Sequence, residues 1–495
     1  MRAVLFLLVG IVGFLAHGSS HAYRIPDEGV KRLSACDVVV CGGGPAGIGA
    51  SIAAARHGLK TLLIELNGCV GGTSTAGALP FMLGAYTGSI PYKQMLKKGL
   101  AYRDLPRTRR AVRGIFDELC GKIVAEGGAS GIAKMGQTAK YPGLDRFGCH
   151  DEFTFDMEVG KRVFEREILA AGAEIRYYAR VLDVKRTGDK VEGVYFADKS
   201  GIQYVPAKVV IDCTGDADVV AAAGFATYKG DRVTGEMCAS GLVAHLENVD
   251  SAAVEAYLNA GGDPWYYDQL AKALAEHPEW KEIGNISHFI IFPMVQEGVF
   301  MVNGGTSIAG YDGTDGKSMS DFTVVARNRD RIVCEIFRRY VPGFANCRLR
   351  QTAQYPGVRE TRRIVAERQL TPEDLLEGTK FDDIVALAGR HFDLARQKGG
   401  QVFADRGKRV KGGVAAIPFH AMIPKGADNL IAAGRCIGAD GQALGPVRIM
   451  STCMALGEAA GTAAKFKIES GVPFRDVDVA ALRADLKRNN CEVDP

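Results

Sequence analysis

Apolar and polar positions alternate most legibly in residues 37–65, DVVVCGGGPAGIGASIAAARHGLKTLLIE. A β-type run, Val38-Val39-Val40, breaks at three glycines and continues as an Ala-rich segment from Pro45 to His57. The chain then turns at Gly58 and closes in a second apolar run ending on Glu65. That order predicts strand, glycine turn, helix, strand. Further on, Val159, Val163, Phe164 and Ile168 recur at helical spacing and predict an amphipathic helix over 155–171, with another over 114–126. Runs 175–184, 191–197 and 204–211 predict three short strands, separated by turn chemistry at 187–189 and 198–201. Thr371-Pro372-Glu373-Asp374 marks a helix start, with a capping Thr and Pro at the first helical position. In the tail, 429–435 reads as a strand running into glycine, and 450–465 as a helix rich in Ala and Gly.

The glycine turn has the spacing G-x-G-x-x-G at Gly42, Gly44 and Gly47. Gly42 makes the tight turn, Gly44 lets the backbone approach a pyrophosphate, and Gly47 lets helix pack closely on sheet. Pro45 and Ala46 open the helix whose free N–H groups favour phosphate. Glu65 follows at the distance expected of an acid that binds ribose hydroxyls, which disfavours a 2′-phosphate and leaves FAD or NAD. Gly71-Gly72-Thr73 is too small and polar for a core segment; it reads as a loop laid on a cofactor, or as a plain flexible loop. Thr214-Gly215-Asp216 ends the strand Val209-Val210-Ile211, either as a ligand-side crevice or as a turn only. Gly434, Arg435 and Asp440, before the tail helix, read as a second backbone approach to the cofactor. With no second glycine loop, one dinucleotide site is expected.

The fold expected is α/β: a discontinuous Rossmann-like domain, binding FAD or NAD, from 35–85, 150–225 and 425–472. An inserted α+β substrate or cap domain takes 86–149 and 226–424, and a helical tail takes 473–495. At 495 residues with 47% hydrophobic and 24% charged content, the chain is ordinary globular protein of two domains or one with a large insertion. A formal charge of +4 is too small to suggest nucleic acid or an anionic membrane as partner. Residues 1–22 stand apart: Arg2, an apolar run from Ala3 to Ala16, and Ser20-His21-Ala22 have the layout of a cleavable secretory signal. A secreted or periplasmic protein with no membrane insertion after cleavage is expected, an uncleaved anchor being the alternative. Twelve cysteines without C-x-x-C make neither a disulfide scaffold nor a metal site. Cys41, Cys213 and Cys436 read as buried thiols, and Cys334 with Cys347 as a pair or as two free thiols. Arg107, Arg109, Arg110 and Arg113 read as a solvated face.

Together, PGVRETRRI at 356–364, AGRCI at 433–437 and MALGEAAGTAA at 454–464 resemble the FAD-dependent oxidoreductase family of the glutathione-reductase-like fold. The resemblance implies FAD rather than NAD. It implies that Gly42, Gly44, Gly47 and Glu65 hold the ADP half, and that Gly71-Gly72-Thr73 lies along the flavin. It places the Val181 backbone at the adenine, Thr214-Gly215-Asp216 by the pyrophosphate and Asp440 on the ribityl or pyrophosphate side. The helix N-terminus at Ile449-Met450 would face the flavin N1/O2 edge. Two departures, Pro418-Phe419-His420 where relatives often read PYR and His391-Phe392-Asp393 where they often carry an acid–His pair, suggest a different substrate.

Flavin chemistry needs a proton carrier and a group that orients the substrate. His391 and His420 are the acid–base candidates, because imidazole titrates near neutrality. Arg359 and Arg448 are candidates for a carboxylate or carbonyl contact. For each, a structural role is the competing reading, with Glu360 as the ion-pair partner of an arginine in RETRR. The expected activity is hydride transfer between flavin N5 and a small organic substrate (a sugar, polyol or hydroxy acid), with a separate electron donor or acceptor. A flavin-free binding protein, and an enzyme relaying electrons through a cysteine such as Cys69, are the alternatives.

Overall fold

The computed structural model describes residues 28–87, 109–129, 153–232, 235–283, 288–303, 307–394 and 410–495, with positions 25, 286, 397–398, 401–402 and 408 between them. The expected signal segment 1–22 and Arg107 lie outside the described residues.

Strand β1 (Cys36–Cys41) leads through the glycine turn into α1 (Pro45–Arg56) and back into β2 (Thr61–Ile64). Strand β3 (Glu174–Arg176) extends this sheet beyond β2. A meander follows: β4 (Arg180–Thr187), β5 (Lys190–Asp198) and β6 (Gly201–Asp212). The last strand is β7 (Leu430–Ala432), and the long tail helix is α2 (Met450–Ser470). β6 serves two sheets at once. Its first half runs antiparallel to β5, from Gly201 opposite Asp198 to Pro206 opposite Gly193. Its second half lies parallel between β1 and β7, with Val210 opposite both Val39 and Leu430. Val38 to Val40, Leu62 to Ile64 and Val209 to Ile211 are all buried, as strands covered on both faces must be.

The expected strand over 175–184 is two strands. Tyr178 breaks it at φ 53°, so β3 joins the parallel sheet and β4 starts the meander.

α1 and α2 cross in direct contact because glycine lines both. A Cβ on Gly49 would collide with the Met454 carbonyl, one on Gly457 with the Ala46 carbonyl, and one on Gly461 with the Ala50 carbonyl. The Ala/Gly composition of both helices is therefore a packing requirement.

A second core lies in an inserted unit. Strands Ala244–Glu247, Ile290–Pro293, Phe300–Asn303 and Arg348–Thr352 form an antiparallel sheet under helices Ser251–Asn259, Tyr267–Glu276 and Gly316–Tyr340. Leu246, Phe289, Phe300, Phe337 and Phe344 fill its centre. The structure draws this unit more narrowly than the 226–424 expected. Ile364, Leu370, Ile384 to Ala388, Phe419 and Ile423 belong to the nucleotide-domain core, as do Phe116 and Leu119 of the helix Ile115–Ala125 and Phe474 and Leu482 of the tail. Apolar pattern alone does not say which core a strand joins. Arg110 also departs from the solvated face: it is ion-paired with Asp117 and lies 4.8 Å over the Tyr86 ring. Cys334 and Cys347 are both buried free thiols, the Cys347 Sγ lying 3.9 Å from the Cys334 carbonyl oxygen.

Candidate functional site

The glycine turn sits at the carboxyl end of β1 and is enclosed on three sides. A Cβ on Gly47 would strike the Gly42 carbonyl, and one on Gly42 would stand 2.5 Å from the Cys213 carbonyl oxygen at the end of β6. Gly44 differs, since a Cβ there meets nothing within 4 Å. Gly44 is also the N-cap of α1 and offers no side-chain cap, so the first N–H groups after Pro45, from Ala46 and Gly47, face the same opening. The loop 71–73 lies against it: the Gly71 N–H donates to the Gly43 carbonyl at 2.8 Å, and Gly72 abuts Gly44.

Glu65, at the end of β2, is buried. Its Oε2 accepts from the Gly43 N–H at 2.5 Å, and its Oε1 accepts from the Asn67 backbone and amide N–H groups at 2.7 Å. Burial raises its pKa, partly offset by these donors. The Ala179 N–H donates to the Glu65 carbonyl at 3.0 Å, bringing the start of β4, with Val181, beside the same strand end.

Thr214 lies next to Gly42, and Arg435 covers Gly215. Asp216 faces inward: it accepts from Thr361 Oγ1 and from Arg435 Nη2, the latter at 2.8 Å. Gly434, at φ 93°, faces Ala46: a Cβ added there would stand 3.0 Å from the Ala46 Cβ. Asp212 was not singled out by pattern. Buried at the end of β6, it accepts from Thr214 Oγ1 at 2.7 Å and from the Val219 and Val220 N–H groups at 3.0 Å, fixing the Thr214–Gly215 bend.

Asp440 is engaged by the protein itself. It accepts from Tyr228 Oη and from Gln369 Nε2 at 3.2 Å, with Arg232 Nε at 3.2 Å. The 356–364 segment acts as a brace. Arg363 is buried against Glu360 at 3.0 Å and donates to the Ala439 carbonyl at 2.5 Å, so the ion pair expected in RETRR belongs to Arg363. Arg359 instead donates to the Ala239 carbonyl at 2.6 Å, where the inserted unit joins the rest.

At the other end of the site α2 begins. Ile449 is its N-cap without a side-chain cap, so the N–H groups of Met450 and Ser451 carry the positive end of the dipole. Thr452 Oγ1, in the first turn, is buried with no hydrogen-bond partner among the described residues. Against this end packs the chain leaving strand Ile384–Ala388: Arg390 lies beside Gly84 with Ile449 and Ser451, and Asp393 beside Gly445. Asp393 accepts from Arg448 Nη2 at 3.0 Å. Burial pushes the Asp393 carboxyl up, but Arg448, Arg390 and His391 together outweigh it and hold the group below its ordinary value. His391, itself buried, is close enough to Asp393 for its charge to lower that carboxyl. Sequence reading noticed the 390–393 stretch but gave no role to Arg390 or Asp393; nothing in linear spacing joins them to Arg448.

The structure places His420 apart from these groups. Its Nδ1 donates to Asp383 Oδ2 at 2.6 Å and its Nε2 to the Arg475 carbonyl at 3.1 Å. Two acceptors require both ring nitrogens to donate, and the Asp383 hydrogen bond accordingly raises its pKa. His420 ties the tail to the core.

The donor set fits a dinucleotide with a flavin: an uncapped helix end over an open glycine, a buried acid at the β2 terminus, and a second uncapped helix end with an unpartnered buried hydroxyl. Among the described residues no group of metal-ligating side chains occurs, and no helix is long and apolar enough to cross a membrane.

A chain with this split parallel sheet and glycine turn is of the Rossmann-like dinucleotide-binding class. Residues 37–486 match the family profile described as FAD dependent oxidoreductase, and the chain belongs to that family of enzymes, with FAD as cofactor. It is similar to the dihydrolipoyl dehydrogenase of Vibrio cholerae serotype O1, 29% identical over 152 residues, 29% of this chain and 30% of that one. It is also similar to the mitochondrial dihydrolipoyl dehydrogenase of Pisum sativum, 25% identical over 182 residues and 35% of each chain. The matched region thus spans only 30–35% of these curated relatives. Among solved structures, a geranylgeranyl bacteriochlorophyll reductase-like protein of Thermoplasma acidophilum aligns over 93% of this chain and 85% of its own, at 15% identity and TM-score 0.42.

Proposed function

We propose that the protein is an exported flavoenzyme that transfers hydride between flavin N5 and a small organic substrate, of the sugar, polyol or hydroxy-acid kind. The observation that carries this reading is the Arg448–Asp393 ion pair, 3.0 Å long and just ahead of the uncapped start of α2, with His391 two residues from Asp393 in the chain. Bound FAD supplies the hydride acceptor or donor. The chain's residues do the rest. Gly42, Gly44 and Gly47 with the α1 N–H groups bind the pyrophosphate, Glu65 the ribose, and the 71–73 loop keeps water from one face. His391 takes or gives the substrate proton, and Arg448 orients the substrate. The first N–H groups of α2 favour negative charge at the neighbouring ring edge. Thr214-Gly215-Asp216, Arg435 and the backbone near Val181 shape the adenine and pyrophosphate side; Asp440 braces the wall through Tyr228. Residues 1–22 support export, which delivers an unfolded chain that takes up flavin afterwards.

The test is anaerobic bleaching of the purified yellow enzyme against sugars, polyols, hydroxy acids and amines, followed by stopped-flow reoxidation with air, a quinone or a dye. Bleaching by one class, lost in His391→Asn, is expected. A colourless protein that cannot be reconstituted with FAD would refute the reading.

A further inference from the structure

The inserted unit holds two thiols that flavin chemistry does not use. Cys334 lies in the last turns of the helix Gly316–Tyr340, and Cys347 stands just before the strand Arg348–Thr352. The chain between them folds back on itself. The Val341 N–H donates to the Phe337 carbonyl and the Phe344 N–H to the Val341 carbonyl, each at 3.1 Å, and the Cys347 N–H donates to the Phe344 carbonyl at 2.9 Å. Arg338 Nε donates to the Cys347 carbonyl at 3.1 Å and so pins the returning chain to the helix. Cys347 Sγ is thereby held 3.9 Å from the Cys334 carbonyl oxygen, and the two thiols are hydrogen-bonded to each other. Both are buried in the core of the unit. None of the backbone bonds that close the turn involves a sulfur, so the fold brings the thiols together whether or not they are joined.

The pair is also asymmetric. The hydrogen bond from Cys347, helped by the Arg338 guanidinium, outweighs burial and holds the Cys334 thiol below its ordinary pKa. The same bond and burial push the Cys347 thiol up. Cys334 is therefore the sulfur that ionises first and attacks.

We propose that Cys334 and Cys347 form a disulfide, a staple between the end of the long helix and the strand that follows it. The oxidant is a small-molecule or protein disulfide. The Cys334 thiolate attacks one of its sulfurs, its S–S bond breaks and one thiolate leaves. Cys347 then gives its proton to water, and its sulfur attacks Cys334 Sγ and displaces the second thiolate. The electron pair passes to the oxidant, which ends as thiols. The stapled strand runs on to Gln354 and Tyr355, whose N–H groups donate to the Ala76 carbonyl at 3.0 and 3.2 Å. The bridge thus steadies the segment on which the chain after Gly71-Gly72-Thr73 rests.

The full chain is secreted through a bacterial periplasm behind a general-secretion leader, trapped in acid, unfolded, alkylated with N-ethylmaleimide and cut with trypsin. Where it is not secreted, the purified enzyme is reduced and refolded with FAD in a glutathione redox buffer instead. Peptides 332–338 and 340–348 are expected as one joined species that separates on reduction. Reduction of the folded, bridged protein lowers its melting temperature by about 2 °C or more and leaves that of Cys347→Ser unchanged. Should that variant fail to fold, Cys334→Ala takes its place. Alkylation of both cysteines in the native chain, or linkage of either to a different cysteine, overturns the pair. A bridged protein whose melting temperature is indifferent to reduction overturns the staple.

Discussion

Gly44 and Gly47 stand three residues apart in one turn and tolerate a methyl group very differently. At Gly47 a Cβ runs into the Gly42 carbonyl; at Gly44 it meets no protein atom within 4 Å. Gly47→Ala should therefore fail in folding, with low soluble yield and a cost of about 3 kcal/mol or more. Gly44→Ala should fold and melt normally yet lose bound FAD, because its methyl occupies the opening toward which α1 points its N–H groups. Flavin content and thermal unfolding, measured together, separate the two. Glu458, inside α2, carries a pH dependence of its own. Burial raises its pKa to about 7 from 4.5, only partly offset by the Ile115 N–H and the Cys491 thiol. As pH rises, the unfolded chain ionises this group first, so its contribution to stability is lost between pH 4.5 and about 7 and is flat above. The span corresponds to about 3 kcal/mol. Glu458→Gln should be relatively more stable than the native protein above pH 7, and not below pH 4.5, in denaturant titrations. A parallel pH dependence in both proteins would refute this.

Between elements, the contact that sets the site is α1 on α2. Both helices begin at the site, so their crossing fixes the separation of the two uncapped ends. Gly457 faces the Ala46 carbonyl with no room for a Cβ. Gly457→Ala should push the helices apart, cost about 3 kcal/mol and lower FAD affinity, although residue 457 is not itself expected to touch the cofactor. Isothermal titration of the apoprotein with FAD would show it; unchanged affinity would mean the helix crossing does not set the site. The two helices were legible in the sequence as Ala/Gly-rich segments, and so was the glycine turn, because backbone needs are written in residue type. Their mutual contact was not, since a small residue reads alike whether it faces a helix, a loop or a ligand. The strand predicted over 175–184 failed for a related reason. Its apolar positions continue through Tyr178, and only the left-handed backbone there sends the two halves to different sheets.

Over the whole molecule, β6 joins the nucleotide sheet to the meander, and the 356–364 brace ties the start of the tail to the bend after β6. The inserted unit, with its own core, enters and leaves beside Arg359. If the chain is exported, the mature protein should begin at Tyr23, as intact mass of material recovered outside the cytoplasm would show; a retained Met1 would support the uncleaved anchor. The sequence by itself determined the strand–turn–helix–strand unit and the small-residue tail helix, because local spacing and backbone constraint are carried by neighbouring residues. Tertiary structure alone decided that His420 is held by Asp383 and the Arg475 carbonyl, that Arg363 pairs with Glu360, and that Asp393 gathers Arg390 and Arg448. Such partnerships join segments from different parts of the chain, and which buried charges meet depends on packing that no single stretch encodes.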